Sequence, residues 1–230
     1  MSVTSYALPQ LLKKSALRRF SHGARFKQAI RLLDLKPGDS ILDYGTGDGH
    51  LLKLIPIKCR MVGYEPDSRS LTALRTILHD IAEATDDLST VNESFTRIAC
   101  MEVLEHVSRD ETYRILENCR KLLKPEDRLI VSVPLEVGPS SVLKNLVRRT
   151  KGEKEANATV MNIFFCGMFR PIERLDYGGG YFGHMGFDYR VLELIFKSAG
   201  WKIEKKIFSP FPQLYALLNS QVFYVLVPQF

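Results

Sequence analysis

Short apolar runs punctuate this chain at 40–44, 61–64, 97–101, 128–134, 201–208 and 221–227, and between most of them apolar positions return every three or four residues. The runs have the length of strands, and the intervening stretches have the period of amphipathic helices. Helices are expected over 8–35, with a break at His22-Gly23, and over 49–54, ahead of Pro56. A helix over 69–79 has Asp67 and Ser68 for its N-cap, one over 110–123 is stopped by Lys124-Pro125, and one over 188–199 is closed by Gly200. Strands alternating with helices predict an α/β domain with a doubly wound sheet between two helical layers.

Two regions depart from that rhythm. Residues 80–96 carry no clear periodicity. Residues 135–183 are too long for a plain crossover and contain a basic helix (140–150), a polar stretch (152–159) and an apolar run (163–169). The end of this region, Tyr177-Gly178-Gly179-Gly180-Tyr181-Phe182-Gly183-His184-Met185-Gly186-Phe187, has the glycines of a mobile loop and carries an imidazole that could close over a substrate.

The strongest chemical signal is Asp43-Tyr44-Gly45-Thr46-Gly47-Asp48-Gly49, where an apolar strand breaks into three alternate glycines and a helix begins. Glycine at every second position lets bare backbone approach a ligand. The spacing is G-x-G-x-G, not the G-x-G-x-x-G of dinucleotide enzymes, and no basic residue in the loop could meet a pyrophosphate. Asp43 instead suits a cofactor with a cationic amino or sulfonium group. At the end of the next strand, Glu65 is placed to accept from a ribose hydroxyl.

These residues resemble the class I S-adenosylmethionine-dependent methyltransferases. Ile41-Leu42-Asp43-Tyr44-Gly45-Thr46-Gly47-Asp48-Gly49 matches their first motif, and Gly63-Tyr64-Glu65-Pro66-Asp67 matches their second. The resemblance covers about 32–134 and implies a Rossmann-like, mostly parallel seven-stranded sheet with antiparallel pairing at its edge. It implies S-adenosylmethionine bound by Asp43, Gly45, Thr46, Gly47, Gly49, Glu65 and Pro66, with Thr85 and Asp86 on the adenine side and Met101 nearby. Asp80 competes for the adenine role, and Ala84 and Thr96 stand where the family usually has acids. On the same grounds residues 1–38 form a helical cap, 39–230 the methyltransferase domain, and 135–187 an insertion covering the acceptor.

The run Glu102-Val103-Leu104-Glu105-His106 follows the fourth apolar run directly. Glu102, Glu105 and His106 at i, i+3 and i+4 face one side of a helix or tight turn. They could hold a divalent cation such as Mg2+, or the carboxylates of Glu102 and Glu105 could position His106 as a general base, with His184 as a further base or ligand. Capping of the following helix is the competing reading. The run resembles ubiquinone-biosynthesis O-methyltransferases, small-RNA 2′-O-methyltransferases and bacterial sugar or envelope methyltransferases. A hydroxyl of a sugar, lipid-linked or envelope precursor is the leading acceptor, ahead of a phenol, an RNA ribose or a non-catalytic cofactor-binding role.

Charge and composition narrow the setting. The 230 residues carry a net charge of +6, with basic clusters at Lys13, Lys14, Arg18, Arg19, Arg25, Lys27 and Arg31 and at Lys144, Arg148, Arg149, Lys151 and Lys154. Such surfaces suit an anionic membrane, a sugar phosphate or simple solvation, and with little aromatic interleaving nucleic acid is not favoured. Cys59, Cys100, Cys119 and Cys166 lack metal-site or disulfide spacing. With no signal-like N-terminus and no apolar run of membrane-spanning length, a cytoplasmic protein, with or without peripheral membrane contact, is expected.

Overall fold

The computed structural model describes residues 16–91, 93–150, 152, 155–176, 180–181 and 183–229, with side chains from Gly23 onward. The first helix, α1, runs over Ala16–Leu33 and passes Gly23 without the expected break. One exposed glycine costs a helix only about 1 kcal/mol, and the fully buried Ala29 and Leu33 anchor the turns beyond it. The start of the expected 8–35 helix, with Lys13 and Lys14, lies outside the described residues, as do the side chains of Arg18 and Arg19.

Seven strands follow: β1 (Ser40–Tyr44), β2 (Arg60–Tyr64), β3 (Glu83–Thr85), β4 (Phe95–Met101), β5 (Leu123–Pro134), β6 (Trp201–Ser209) and β7 (Gln221–Pro228). They form one sheet in the order β3-β2-β1-β4-β5-β7-β6. Every pairing from β3 to β5 is parallel, and only β7 runs against its neighbours. β3 is the strand that periodicity missed, since three residues are too few to show an alternation.

Successive strand residues feed opposite faces of the sheet, as the two-residue repeat requires. Ile41, Ala99, Ile130 and Phe223 pack on one side with α1, α2 (His50–Leu54) and α3 (Ser68–Leu78). Leu42, Ile98, Cys100, Val131 and Tyr224 pack on the other with α4 (Arg109–Lys121) and α7 (Tyr189–Ser198). Between β5 and α7 the chain forms α5 (Pro139–Thr150) and α6 (Val160–Gly167), and between β6 and β7 a short α8 (Tyr215–Leu218). The parallel strands progress outward from β1 to β3 and then return to β4 beside β1. The carboxyl ends of β1 and β4 therefore flank the topological switch point, where open α/β sheets bind ligands.

Candidate active site

The glycine loop after β1 is held by main-chain bonds to the next strand. Gly45 and Thr46 both donate their N–H groups to the Tyr64 carbonyl, at 2.9 and 3.0 Å. Gly45, Gly47 and Gly49 all have positive φ, a region that costs other residues strain. Their surroundings differ. A Cβ on Gly45 would come within 2.6 Å of Val103 Cγ2, and one on Gly49 within 2.8 Å of Leu78, whereas one on Gly47 would meet nothing. Gly45 thus lets the loops after β1 and β4 touch, while Gly47 leaves its backbone open to a ligand.

Asp43 lies under this loop, 2% exposed, and accepts a 2.7 Å hydrogen bond from Thr46 Oγ1. Burial raises its pKa to about 7, with the Thr46 bond pulling the other way and the charges of Asp48 and Glu65 adding to the rise. Glu65 extends from β2 across the loop, accepting from the Gly47 N–H at 3.0 Å and the Asp67 N–H at 3.1 Å. Pro66 follows it, exposed. At the end of β3, the Thr85 carbonyl accepts from Glu65 N–H at 2.9 Å, which sets Thr85 and the exposed Asp86 beside Glu65. Asp80, the competing candidate, sits before β3 at the opposite edge of the sheet and pairs with His79. Met101 ends β4, in register with Ser132. Glu65→Ala is expected to weaken binding of S-adenosylhomocysteine by about 1.5–3 kcal/mol, the range for a charge-assisted hydrogen bond, readable by calorimetric titration.

The Glu102–His106 run is a turn, not the start of a helix: Glu102 has φ 57°, His106 N–H donates to the Val103 carbonyl at 2.9 Å, and α4 begins at Arg109 with Ser108 as its N-cap. This separates the residues expected to converge. Glu102 is engaged by Arg25 of α1 at 3.2 Å and by the Ser132 hydroxyl at 2.8 Å. Glu105 turns inward to 0% exposure, and its carboxyl group meets the His184 ring, delivered from a distant part of the chain. Ligating atoms of Glu105, His106 and His184 lie within 4.8 Å of one another. The set brought together is therefore Glu105, His106 and His184, not Glu102, Glu105 and His106. Neither acid caps α4, so the capping reading falls to Ser108.

Each member of the cluster is held in a defined state. The Nδ1 of His106 is 2.8 Å from the Tyr181 carbonyl. A carbonyl only accepts, so Nδ1 carries the proton and the lone pair is on Nε2, which faces Glu105 Oε1 at 3.8 Å. Both Glu105 oxygens are buried without a hydrogen-bond partner among the described residues. Burial, with the nearby Glu102 charge, holds this carboxyl well above the usual carboxylate range. His184 is shifted the other way, downward, because burial disfavours its cation. Its Nδ1 is likewise buried without a partner, and its ring lies 5.0 Å from that of His106.

The loop that delivers His184 is tied down by charge. Glu136, two residues past β5 and 1% exposed, pairs with Lys144 at 3.2 Å and takes two 2.9 Å hydrogen bonds from Arg148. Burial alone would raise its pKa, but these two cations outweigh that and hold it at about 2. Arg148 is also 3.7 Å from Glu155, whose carboxylate accepts the N–H groups of His184 and Met185 at 3.0 and 2.9 Å. Arg174 donates to the carbonyls of Glu105 and Gly183 and stacks 3.9 Å over the Tyr181 ring. Lys144 and Arg148 thus face inward and are not part of an open basic surface, contrary to the expected cluster. Arg25, Ser132, Glu136 and Arg174 were not evident as site residues. The available signals were Ser132, the polar interruption of the apolar run Leu129-Ile130-Val131-Ser132-Val133, and Glu136, an acid at a strand's carboxyl end.

The profile of the methyltransferase domain family matches residues 17–206 of the chain. No curated protein sequence matches it. Similar solved structures include the PH0226 protein of Pyrococcus horikoshii (TM-score 0.60, 14% identity, 94% of this chain and 93% of that one). The magnesium protoporphyrin IX methyltransferase of Synechocystis with bound S-adenosylhomocysteine has a TM-score of 0.59, 14% identity and coverage of 94% and 89%. The cyclopropane synthase MmaA2 of Mycobacterium tuberculosis has 0.58, 14%, and coverage of 89% and 83%. With the glycine loop, Glu65 and the sheet order all in place, the chain belongs to the methyltransferase domain family and is a class I S-adenosylmethionine-dependent methyltransferase.

Proposed function

We propose that this enzyme methylates a hydroxyl group of a small molecule, with a sugar, lipid-linked or envelope precursor as the acceptor. The observation that supports this is the convergence of Glu105, His106 and His184 beside the carboxyl end of β4. Methyl transfer from a sulfonium is an in-line displacement: the acceptor O–C bond forms as the S–C bond breaks, and the sulfur leaves as a neutral thioether. Alignment and exclusion of water are enough for a good nucleophile. An alcohol must also lose its proton, and His106 Nε2, with its lone pair fixed by the Tyr181 carbonyl, is the group oriented to receive it. A phenol, with a pKa near 10, needs less of this help, which ranks it second. The inward turn of Lys144 and Arg148 leaves less basic surface for an RNA backbone and sets that reading lower.

The same three residues suit a divalent ion. An unpartnered, fully buried carboxylate is costly to ionise, and a bound cation would satisfy both Glu105 and the lone pair of His106. Two imidazoles and one carboxylate favour Mn2+, Fe2+ or Zn2+ over Mg2+, which prefers oxygen ligands. When bound, such an ion supplies Lewis-acid lowering of the acceptor hydroxyl's pKa. The residues 135–187 would cover the acceptor, and α1 would close the opposite side through the Arg25–Glu102 pair. Calorimetric titration of the metal-stripped protein with Mn2+ is expected to show one ion per chain in the wild type and at least tenfold weaker binding in His184→Ala. Equal binding by both proteins would remove His184 from the ligand set.

A further inference from the structure

We propose that α5, α6 and α8 form a docking face for an anionic lipid bilayer. The basis is α5, which is amphipathic in the wrong sense for a water-facing helix. Its buried side chains are the polar Ser140, Ser141 and Asn145, and its Lys144 and Arg148 reach inward to Glu136. Its outer side shows Leu143, at 56% exposure, with Leu146 and Val147. A helix that buries its polar residues and displays leucines has an apolar neighbour on its outer side.

The face continues across its neighbours. α5 contacts both α6 and α8. On α6 the outward residues are Val160, Met161 and Phe164, at 70%, 59% and 58% exposure, spaced so that they form one stripe. Leu217 and Leu218 of α8 are more than half exposed. Isolated exposed apolar residues need no explanation, but a set spread over three helices in contact exceeds what a water-facing surface carries.

Charge selects the occupant. Of the cations on α5, Lys144 and Arg148 are taken up by the buried Glu136 and Arg149 is left facing outward, and residues 156–172 contain Arg170 as their one charge. Arg149 on α5 and Arg170, three residues past α6, are exposed. Apolar side chains with basic residues beside them match the acyl boundary and headgroups of an anionic leaflet. A second copy of this chain, packed face to face about a twofold axis, would set like charges against one another. No helix among the described residues is long and apolar enough to cross a membrane. The inference does not depend on which acceptor is methylated.

Vesicle flotation of the full chain tests this, with phosphatidylcholine alone and phosphatidylcholine mixed with phosphatidylglycerol. The wild type is expected to float with the anionic vesicles and less with the neutral ones. Leu143→Ser combined with Phe164→Ser is expected to reduce partition on the order of a hundredfold, and Arg149→Glu roughly tenfold, with unchanged melting temperatures because all three side chains are exposed. Absence of flotation, or flotation that the variants leave intact, overturns the proposal. So does a wild-type dimer in sedimentation equilibrium that the double variant dissolves, since the face would then be covered by a second copy.

Discussion

Asp43→Asn is expected to be more stable than the wild type at about pH 8 and yet to bind S-adenosylmethionine far more weakly. The two effects share one cause. Asp43 has 2% exposure, its one side-chain hydrogen bond among the described residues comes from Thr46, and burial lifts its pKa from 3.8 to about 7. A carboxyl whose folded pKa is raised binds more protons folded than unfolded. Its stabilising contribution is therefore complete below about pH 4 and is lost as the pH rises through about 7. Three pKa units correspond to about 4 kcal/mol. Asparagine avoids that loss and can still accept from Thr46, but its buried amide N–H groups cost about 1–2 kcal/mol. The net gain of about 2–3 kcal/mol should appear as roughly 5–10 °C in melting temperature at about pH 8 and vanish at about pH 5. A cationic cofactor needs the ionised form, so wild-type affinity should rise between about pH 6 and about pH 8, and the variant should lose that dependence.

Glu136→Gln should be the most damaging conservative change, destabilising by about 3–5 kcal/mol, the cost of leaving one side of a buried ion pair uncompensated. Lys144 and Arg148 converge on this carboxylate, and glutamine keeps its shape but not its charge. The pH behaviour is the reverse of that at Asp43. With its folded pKa held at about 2, Glu136 stabilises fully above the ordinary glutamate value of 4.5 and loses that contribution as the pH falls through 2. The wild type should therefore show an acid-labile component, absent in the variant, in denaturant melts taken between about pH 5 and about pH 2. Because Arg148 also faces Glu155, which holds the His184 and Met185 backbone, the loss should extend to Mn2+ affinity.

Periodicity, the three glycines and the acid after the second strand were enough to place β1, β2, β4, the helices between them and the switch-point crevice. Each of those features depends on neighbours in sequence, as did the approximate positions of β6 and β7. The errors involve distant partners. Nothing local tells that Gly23 is carried within a helix by Ala29 and Leu33 below it. The i, i+3, i+4 spacing of Glu102, Glu105 and His106 suggested one cluster, but a left-handed φ at Glu102 sends it to Arg25 and Ser132 and leaves Glu105 for His184. Likewise Lys144 and Arg148 read as surface charge until Glu136, buried at the end of β5, supplies their counter-charge.

The central claim is that the crevice between the β1 and β4 loops is an S-adenosylmethionine site formed by this chain alone. Calorimetric titration of the purified wild type with S-adenosylhomocysteine, with and without Mn2+, tests it most directly. One cofactor per chain, bound in the micromolar range in both conditions, is the expected result. Absence of binding in both conditions would contradict the claim, even with the fold intact.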